Sequence, residues 1–534
     1  MKLDYYPKTN KFTIVTPHNK KTVEDLVVRH GLAYSETAST ADKAVLFTDE
    51  PYAAVPFFRF ATPRAKKPLQ WMRDEIVSSR ALTTGFRAPF PSTQEFHDAI
   101  GEPYLNQYAC VEYCMRRNNA LIGDEPGVGK TGEAILLANE MRAKKVAVVC
   151  PASIRLQWAE NIRLWTTMPK SAIIYPILKS ADGVHPHAHW TILSYNGLLS
   201  EGIFEALKRG KYDLVILDEI HFLKNNEAQR TQKFFGPGGL HNECGYILGL
   251  SGTPLPNRPR ECYTIARGID WEAIDWQSED QFRDKYNPAE YNGKYSRQMA
   301  GRLPELNARL RTNIMVRRGL DEVMPELPKA SFEVIHLEEN GAIRRALKAE
   351  QALDLDPNEL EGLSADIPGP VSTVRMMMGI AMAPGVADYV DMLMQGGAEK
   401  IFLTGWHEEV LDIWEQRLHK WGHVRVDGKT STRRRELYKK QFIDDPACGL
   451  FIANYMSAGV GTDGLQHACH RAVLGEVSWV PGENEQTVRR LRRGGQKLPV
   501  LADLMSVRGS FADRVLGTSL EKLQDINAAL DEEL

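Results

Sequence analysis

From Asn119 to Thr253 the chain alternates short apolar runs rich in β-branched residues with longer segments of helical spacing. "NALIGDE", "KVAVVCP", "WTILSY", "YDLVILDE" and "GYILGLSG" read as buried parallel strands. "TGEAILLANEMRAKK" and "ASIRLQWAENIRLW" lie between them as amphipathic helices. This alternation predicts an open α/β sheet with ligands at the carboxyl ends of its strands. A second block of the same kind runs from "KIFLTGW" through "HVRVDG" and "GLFIANY" to "LPVLADLMSV".

Between the blocks the pattern is helical, broken by Pro and Gly in "LDLDPNELEGLSADIPGPVS". The final residues, "SFADRVLGTSLEKLQDINAALDEEL", have the spacing of one amphipathic helix. Near the start, "KFTIVTP" and "KAVLFTD" read as strands around a helical "KTVEDLVVRHGL". The expected organisation is therefore a small α+β domain over 1–95, a first α/β lobe over 96–260, and a helical bridge over 261–398. A second lobe follows over 399–510, then a helix over 511–534.

With 534 residues the chain is too long for one core. A formal net charge of −3 gives no overall pull toward nucleic acid, so any basic surface must be local. One such stretch exists. Between Phe57 and Pro91, Arg59, Arg64, Lys66, Lys67, Arg73, Arg80 and Arg87 face only Asp74 and Glu75, and Phe57, Phe58, Phe60, Trp71 and Phe86 interleave with them. Cations for phosphates and flat rings for bases make Arg59, Arg64, Lys66 and Lys67 candidate DNA contacts, with a solvated face over a small core as the alternative. Seven cysteines without a C-x-x-C pair point to reduced thiols in a cytosol. Cys469 lies beside His467 and His470, but the four ligands of a zinc finger are not assembled at the required spacing. No signal-peptide core and no long apolar run is present, so the expected location is cytoplasmic, with no membrane partner.

"LIGDEPGVGKTGEAI" places glycines, a lysine and a threonine between a strand and a helix. Residues Gly123, Asp124, Glu125, Pro126, Gly127, Val128, Gly129, Lys130 and Thr131 would wrap the phosphates of ATP. Gly127 and Gly129 free the backbone N–H groups to turn inward at a helix N-terminus. Lys130 would reach the β- and γ-phosphates, and the Thr131 hydroxyl would ligate Mg2+. Asp124 stands where the strict phosphate-loop pattern has glycine. "YDLVILDEIHFLKN" supplies the second element: Asp218 to hold the metal and Glu219 to polarise the attacking water.

"LIGDEPGVGKT" together with "LDEIH" resembles the first two motifs of superfamily 2 helicases, and the wider set resembles the Swi/Snf-type DNA translocases. "PYLNQYACV" is similar to the Q-motif, with Gln107 on the adenine, and "CPASIRLQWAENIRLW" to motif Ia. "LGLSGTPLPN" is similar to motif III, where Ser251, Gly252 and Thr253 link nucleotide to DNA grip. "IMVRRGLDEVMPELPK" resembles the family's arginine-rich bridge between lobes. "SAGVGTDGLQHA" is similar to motif V, with Gly459 and Gly461 close to DNA and Asp463 in place of the usual asparagine. In "ENEQTVRRLRRGGQ", Gln486, Arg490, Arg493, Gly495 and Gln496 fall on the last motif, with Gln486 at the nucleotide and Arg490 and Arg493 as the second lobe's cations for the γ-phosphate. Arg489 and Arg492 read as solvated. "VSTVRMMMGIAMAPGVADYVDMLMQGGAEKIFLTGWH" resembles the annealing-helicase, HARP-like branch, with Met382 replacing the usual lysine and Trp406 interrupting a histidine-rich strand end.

The resemblance implies two RecA-like lobes in tandem and a DNA-dependent ATPase using ATP and Mg2+, with catalytic residues Lys130, Asp218, Glu219, Arg490 and Arg493. It further implies a motor on duplex, forked or branched DNA, of bacterial or phage type and monomeric when free. A strand-separating helicase and an ATP-gated DNA-binding module are the alternatives.

Overall fold

The computed structural model describes residues 1–252, 259–287, 289–291, 296–298, 301–353, 369–455, 464–479 and 481–516. The chain forms two compact units that divide between Val323 and Met324.

The first unit opens with an antiparallel sheet of β1 (Lys2–Tyr6), β2 (Lys11–Pro17), β3 (Ala33–Tyr34) and β4 (Lys43–Thr48), ordered β1-β2-β4-β3. Alternation in β2 and β4 sends Phe12, Ile14, Ala44 and Leu46 inward. The helix Pro63–Ser79 covers that face with Ala65, Leu69 and Ile76. Its start is fixed by the Thr62 hydroxyl, which accepts from Ala65 N at 3.3 Å, and by Pro63 in the first turn. Phe57 belongs to this core, whereas Arg59, Arg64, Lys66 and Lys67 are exposed.

Seven parallel strands make the main sheet of this unit: β5 (Ala120–Ile122), β6 (Val146–Cys150), β7 (Ile174–Pro176), β8 (Trp190–Ser194), β9 (Leu214–Asp218), β10 (Ile247–Leu250) and β13 (Met315–Val316). Their order is β13-β5-β10-β9-β6-β8-β7. The five strands expected from the apolar runs are all present. The two edge strands were not foreseen, because "IYP" and "MV" are too short to show any period. A separate hairpin pairs β11 (Ala289–Tyr291) with β12 (Ser296–Gln298).

The segment 261–398, expected as a bridge, is divided between the units. Its first part closes the first unit through the helix Leu303–Asn313, which packs against both the helix Pro63–Ser79 and the neighbourhood of β13. That helix is buried all round although it carries Glu305, Asn307, Arg309, Arg311 and Thr312. Arg309 satisfies the buried charge by bonding Glu50 at 2.8 Å, lying 3.4 Å from Asp275 and 3.9 Å from Glu305. Lys285 approaches Glu50 at 3.8 Å and bonds Glu305 at 2.5 Å. This ionic cluster fastens the N-terminal sheet to the rest of the unit.

The second unit contains β14 (Ala330–His336), β15 (Ile401–Gly405), β16 (His423–Val426), β17 (Leu450–Asn454), β18 (Arg471–Leu474) and β19 (Val500–Ser506), all parallel in the order β14-β19-β18-β15-β17-β16. Its edge strand β14 begins well before the expected boundary at 399. The helix Gly369–Gln395 buries Met382, Val386 and Val390 against Trp414 and β15, so an apolar Met382 is a core residue here. Of the expected terminal helix over 511–534, residues 511–516 are helical and 517–534 lie outside the described residues. Among the described residues, no helix is long and apolar enough to cross a membrane.

Replacing Arg309 with alanine would leave the carboxylates of Glu50 and Glu305 together in the interior with Lys285 as the cation beside both. The expected loss is about 3–5 kcal/mol, read as a lower urea midpoint for the first unit. Arg283, paired with surface Asp280 and Asp284, is the control, and its alanine variant should leave the midpoint in place.

Candidate nucleotide site

Parallel pairing brings three strand ends level. Leu250 of β10 stands beside Ile122 of β5 on one side and Asp218 of β9 on the other. The segments that follow, Gly123–Gly129, Glu219–His221 and Ser251–Gly252, therefore leave the sheet together.

The loop after β5 turns through Gly127 at φ 97° and Gly129 at φ 111°, where a side chain would be strained. A Cβ on Gly129 would also lie 2.7 Å from Gln107 Nε2. Gln107 is itself fixed in place: its Nε2 donates to Gly129 O at 3.3 Å, and its Oε1 accepts from Tyr104 N at 2.9 Å. The expected adenine reader thus adjoins the end of the phosphate loop. Lys130 opens the helix Lys130–Glu140, followed directly by Thr131, and its Nζ donates to Asp124 O at 2.8 Å and Glu125 O at 3.3 Å. Gly252 lies against this loop so closely that a Cβ there would meet Pro126 Cγ at 2.6 Å.

Asp218 ends β9, and its carboxylate Oδ2 accepts from the indole Nε1 of Trp158 at 2.8 Å. The Tyr195 hydroxyl holds its backbone carbonyl at 2.8 Å. Removal from water, aided by the adjacent Glu219, raises the Asp218 carboxyl to about 6, a state that a bound cation would reverse. Glu219 adopts a left-handed backbone at φ 53°, a conformation uncommon for a residue other than glycine. His221 Nδ1 lies 3.3 Å from Glu219 Oε2 and 3.3 Å from Ser251 Oγ, linking the acidic pair to the third segment.

The acidic residue at position 124 has a structural reason. Asp124 is fully buried, and Arg318 meets it with both faces of a fork: Arg318 Nε donates to Oδ1 at 3.1 Å, and Nη2 pairs with Oδ2. The Arg318 backbone N–H adds a bond to Oδ1 at 2.9 Å. Arg318 Nη2 also bonds Glu133 Oε1 at 2.8 Å, and Nη1 donates to Asn106 O on the Gln107 helix. Arg317 donates from Nη1 to Gly123 O at 2.6 Å and to Gly252 O at 3.4 Å. Backbone bonds from Gly123 N to Val316 O, at 2.8 Å, and from Glu125 N to Arg318 O, at 3.1 Å, continue the pairing of β5 with β13. "MVRRG", read as part of a bridge between lobes, is here the wall of the phosphate loop.

In the second unit the helix Pro481–Val488 and the turn after it carry Gln486, Arg490 and Arg493, all partly exposed. Asn484 anchors that helix: its Oδ1 accepts from Ser478 N and from the Tyr455 hydroxyl, each at 2.8 Å, and its Nδ2 donates to Ser478 O at 2.8 Å. Tyr455 in turn stacks on Trp406 at 5.2 Å, and Arg375 lies 4.5 Å from the rings of both Trp406 and Trp479. Arg489 pairs with Glu485. Arg492, expected in solvent, is only 8% exposed and donates to Pro328 O at 2.9 Å. Gln496 closes the turn by donating to Cys469 O and Leu491 O.

Ser251 and Gly252 follow β10 beside the phosphate loop, whereas Thr253, Gly459, Gly461 and Asp463 lie outside the described residues. In the N-terminal block, Arg59 covers Phe60 at 4.7 Å, and Lys66 and Arg73 flank Phe58 at 5.7 and 5.4 Å. These rings are engaged by the block's own cations, while Trp71 is 57% exposed. The sequence reading missed Trp158, Tyr195, Glu133 and the roles of Arg317 and Arg318. Only Glu133 left a local trace, as a lone charge within the apolar run of its helix.

The SNF2-related domain family matches residues 67–359. The cattle protein "DNA annealing helicase and endonuclease ZRANB3" is 26% identical over 434 residues, covering 79% of this chain and 40% of that protein. A Caenorhabditis elegans protein, "SWI/SNF-related matrix-associated actin-dependent regulator of chromatin subfamily A-like protein 1 homolog", is 26% identical over 431 residues, covering 77% of this chain and 59% of its own length. The chain thus spans about 40 to 60% of these curated relatives. Among solved structures, the Sulfolobus solfataricus SWI2/SNF2 ATPase core in complex with dsDNA aligns at 13% identity with a TM-score of 0.38, covering 85% of this chain and 100% of that one. The matched domain takes in the phosphate loop, the acidic strand end and the paired arginines in one continuous stretch, and the chain belongs to the SNF2-related family.

Proposed function

We propose that the protein is a DNA-dependent ATPase that moves on duplex or branched DNA. The observation that carries this reading is the convergence of Lys130, Asp218, Glu219, Ser251 and Gly252 at three adjacent strand ends, in a chain of the SNF2-related family. Relatives named as annealing helicases favour branched DNA as the substrate.

The donor set suits a nucleotide with its metal. Loop N–H groups and Lys130 bind the phosphates. Thr131 and Asp218 offer hard oxygens, and the raised carboxyl of Asp218 is one that a divalent cation would hold ionised. Mg2+, when bound there, would neutralise phosphate charge. Glu219 orients and deprotonates the attacking water, with His221 connecting it to Ser251. Arg490 and Arg493 supply the cations for charge that develops on the γ-phosphate. Exposed Arg59, Arg64, Lys66 and Lys67 are the proposed DNA contacts of the N-terminal block, and motion along DNA is the use of the energy released.

ATP turnover should be low alone and rise severalfold with DNA, measured as phosphate release across single-stranded, duplex, forked and four-way-junction substrates. A rate indifferent to every DNA would leave only an ATP-gated binding module, and displacement of a strand from a duplex would establish a separating helicase instead. Lys130→Ala should abolish turnover, and Glu219→Gln should bind ATP without hydrolysing it. Near-normal turnover by Glu219→Gln would remove it as the general base.

Arg490→Ala and Arg493→Ala should each lower maximal turnover by at least about tenfold while nucleotide affinity holds, given the ~10³–10⁵ contributed by arginine fingers elsewhere. Lost ATP affinity with an unchanged maximal rate would count against both.

The paired change Lys66→Glu with Lys67→Glu lies on the exposed face of its helix and should leave the fold intact. Weaker binding to forked DNA is expected, with the log–log salt slope reduced by about 0.7–0.9 for each DNA phosphate no longer neutralised. Unchanged affinity and slope would take this pair out of the DNA surface.

A further inference from the structure

We propose that Arg317 and Arg318 are positioning residues for ATP binding and turnover, and that they use the end of the N-terminal helix as their anchor. The inference rests on the ATPase reading above for its consequence, and on the geometry alone for its cause.

Arg317 is aimed at backbone carbonyls beside the phosphate loop, and Arg318 at the carboxylates of Asp124 and Glu133. Arg317 bridges Gly123 O and Gly252 O, one carbonyl from the phosphate loop and one from the segment after β10. Arg318 fixes the Asp124 side chain, the Glu133 carboxylate and the carbonyl of Asn106, next to Gln107. Three segments that would touch the nucleotide are thus set by two adjacent side chains. Lysine cannot reproduce this, since only a planar fork can donate in two directions at fixed geometry.

Their own position depends on the N-terminal block. Arg317 N donates to Ser79 O at 3.1 Å, and Arg318 Nη1 reaches Ala81 O at 3.5 Å. Arg311 Nη1 bonds both the Ser79 hydroxyl, at 3.3 Å, and Arg317 O, at 2.9 Å. Ser79 is the last residue of the helix whose exposed face carries Arg64, Lys66, Lys67 and Trp71. The accessory block is therefore built into the nucleotide site, and cutting the chain near residue 95 would remove acceptors on which the loop depends.

Full-length Arg317→Lys, Arg318→Lys and Asp124→Asn test the proposal with two readouts: binding of a fluorescent methylanthraniloyl ATP, and steady-state ATPase with DNA. Asp124→Asn keeps the shape while weakening the pair, and it carries the test if Arg318→Lys does not fold. For Arg318→Lys and Asp124→Asn we expect nucleotide affinity to fall by about tenfold or more in protein that still melts cooperatively, the scale on which a small misplacement acts. For Arg317→Lys the expected change is mainly in maximal turnover, with KM for ATP moved by less than about threefold, because its bridge joins the loop to the Gly252 segment. Folded variants with unchanged nucleotide affinity and unchanged turnover overturn the proposal. So does a loss of thermal stability with both readouts intact, which would make the arginines structural only. Failure of DNA to stimulate the unmodified protein would sink the motor reading, while the nucleotide titration would still decide this one.

Discussion

The first unit is organised around one buried charge cluster. Arg318, Asp124 and Glu133 are removed from water, so each is tolerable only while the others stay in place. An apolar cluster of the same volume could match its stability, but it would not fix orientation. A bidentate fork does, and it is closed here on Asp124, the second residue of the phosphate loop. The loop's neighbours inherit that order: Gln107 through Asn106, Gly252 through Arg317, and the strand end at Gly123 through β13. A nucleotide arriving at such a site would meet a loop whose backbone path is already held, which is how a cradle binds phosphate without first spending free energy on ordering itself.

What the sequence disclosed follows from distance along the chain. The phosphate loop and the acidic strand end are local patterns, and both landed where their spacing put them. The buried strands β6, β8 and β9 were equally clear, since each is a five-residue run rich in apolar side chains. β7 and β13 were invisible because two or three residues cannot display a period. The role of Arg318 was missed because its partner lies 194 positions away, and nothing in "MVRRG" distinguishes a buried fork from a solvent-facing pair. Arg492 was misread for a related reason. Helical spacing gave it an exposed face, and the partner it meets in the structure, Pro328 O, lies 164 positions away.

The second unit shows the same economy with different chemistry. Trp406 interrupts the histidine-rich strand end that the resemblance implied, and its ring joins a run of stacked groups from Trp479 through Arg375 to Tyr455. Tyr455 then passes a hydrogen bond to Asn484 in the helix that leads to Arg490 and Arg493. A change of residue type that looked like a break in a motif is absorbed by new stacking partners.

The strand order of the first sheet also dictates when the nucleotide site can exist. β5 emerges first, yet its neighbours on either side are β10 and β13, nearly the last strands of the unit to be made. Until Ile247–Leu250 and Met315–Val316 appear, the strand that feeds the phosphate loop has no partner on either edge, while β6, β8 and β9 can already pair. At about 5–20 residues per second, the 194 positions between Asp124 and Arg318 correspond to roughly 10–40 s of synthesis. During that interval the nascent chain holds an unpaired apolar strand and an unneutralised acid destined for the interior. A nucleotide could therefore act on folding only late, as a ligand that seals a finished site.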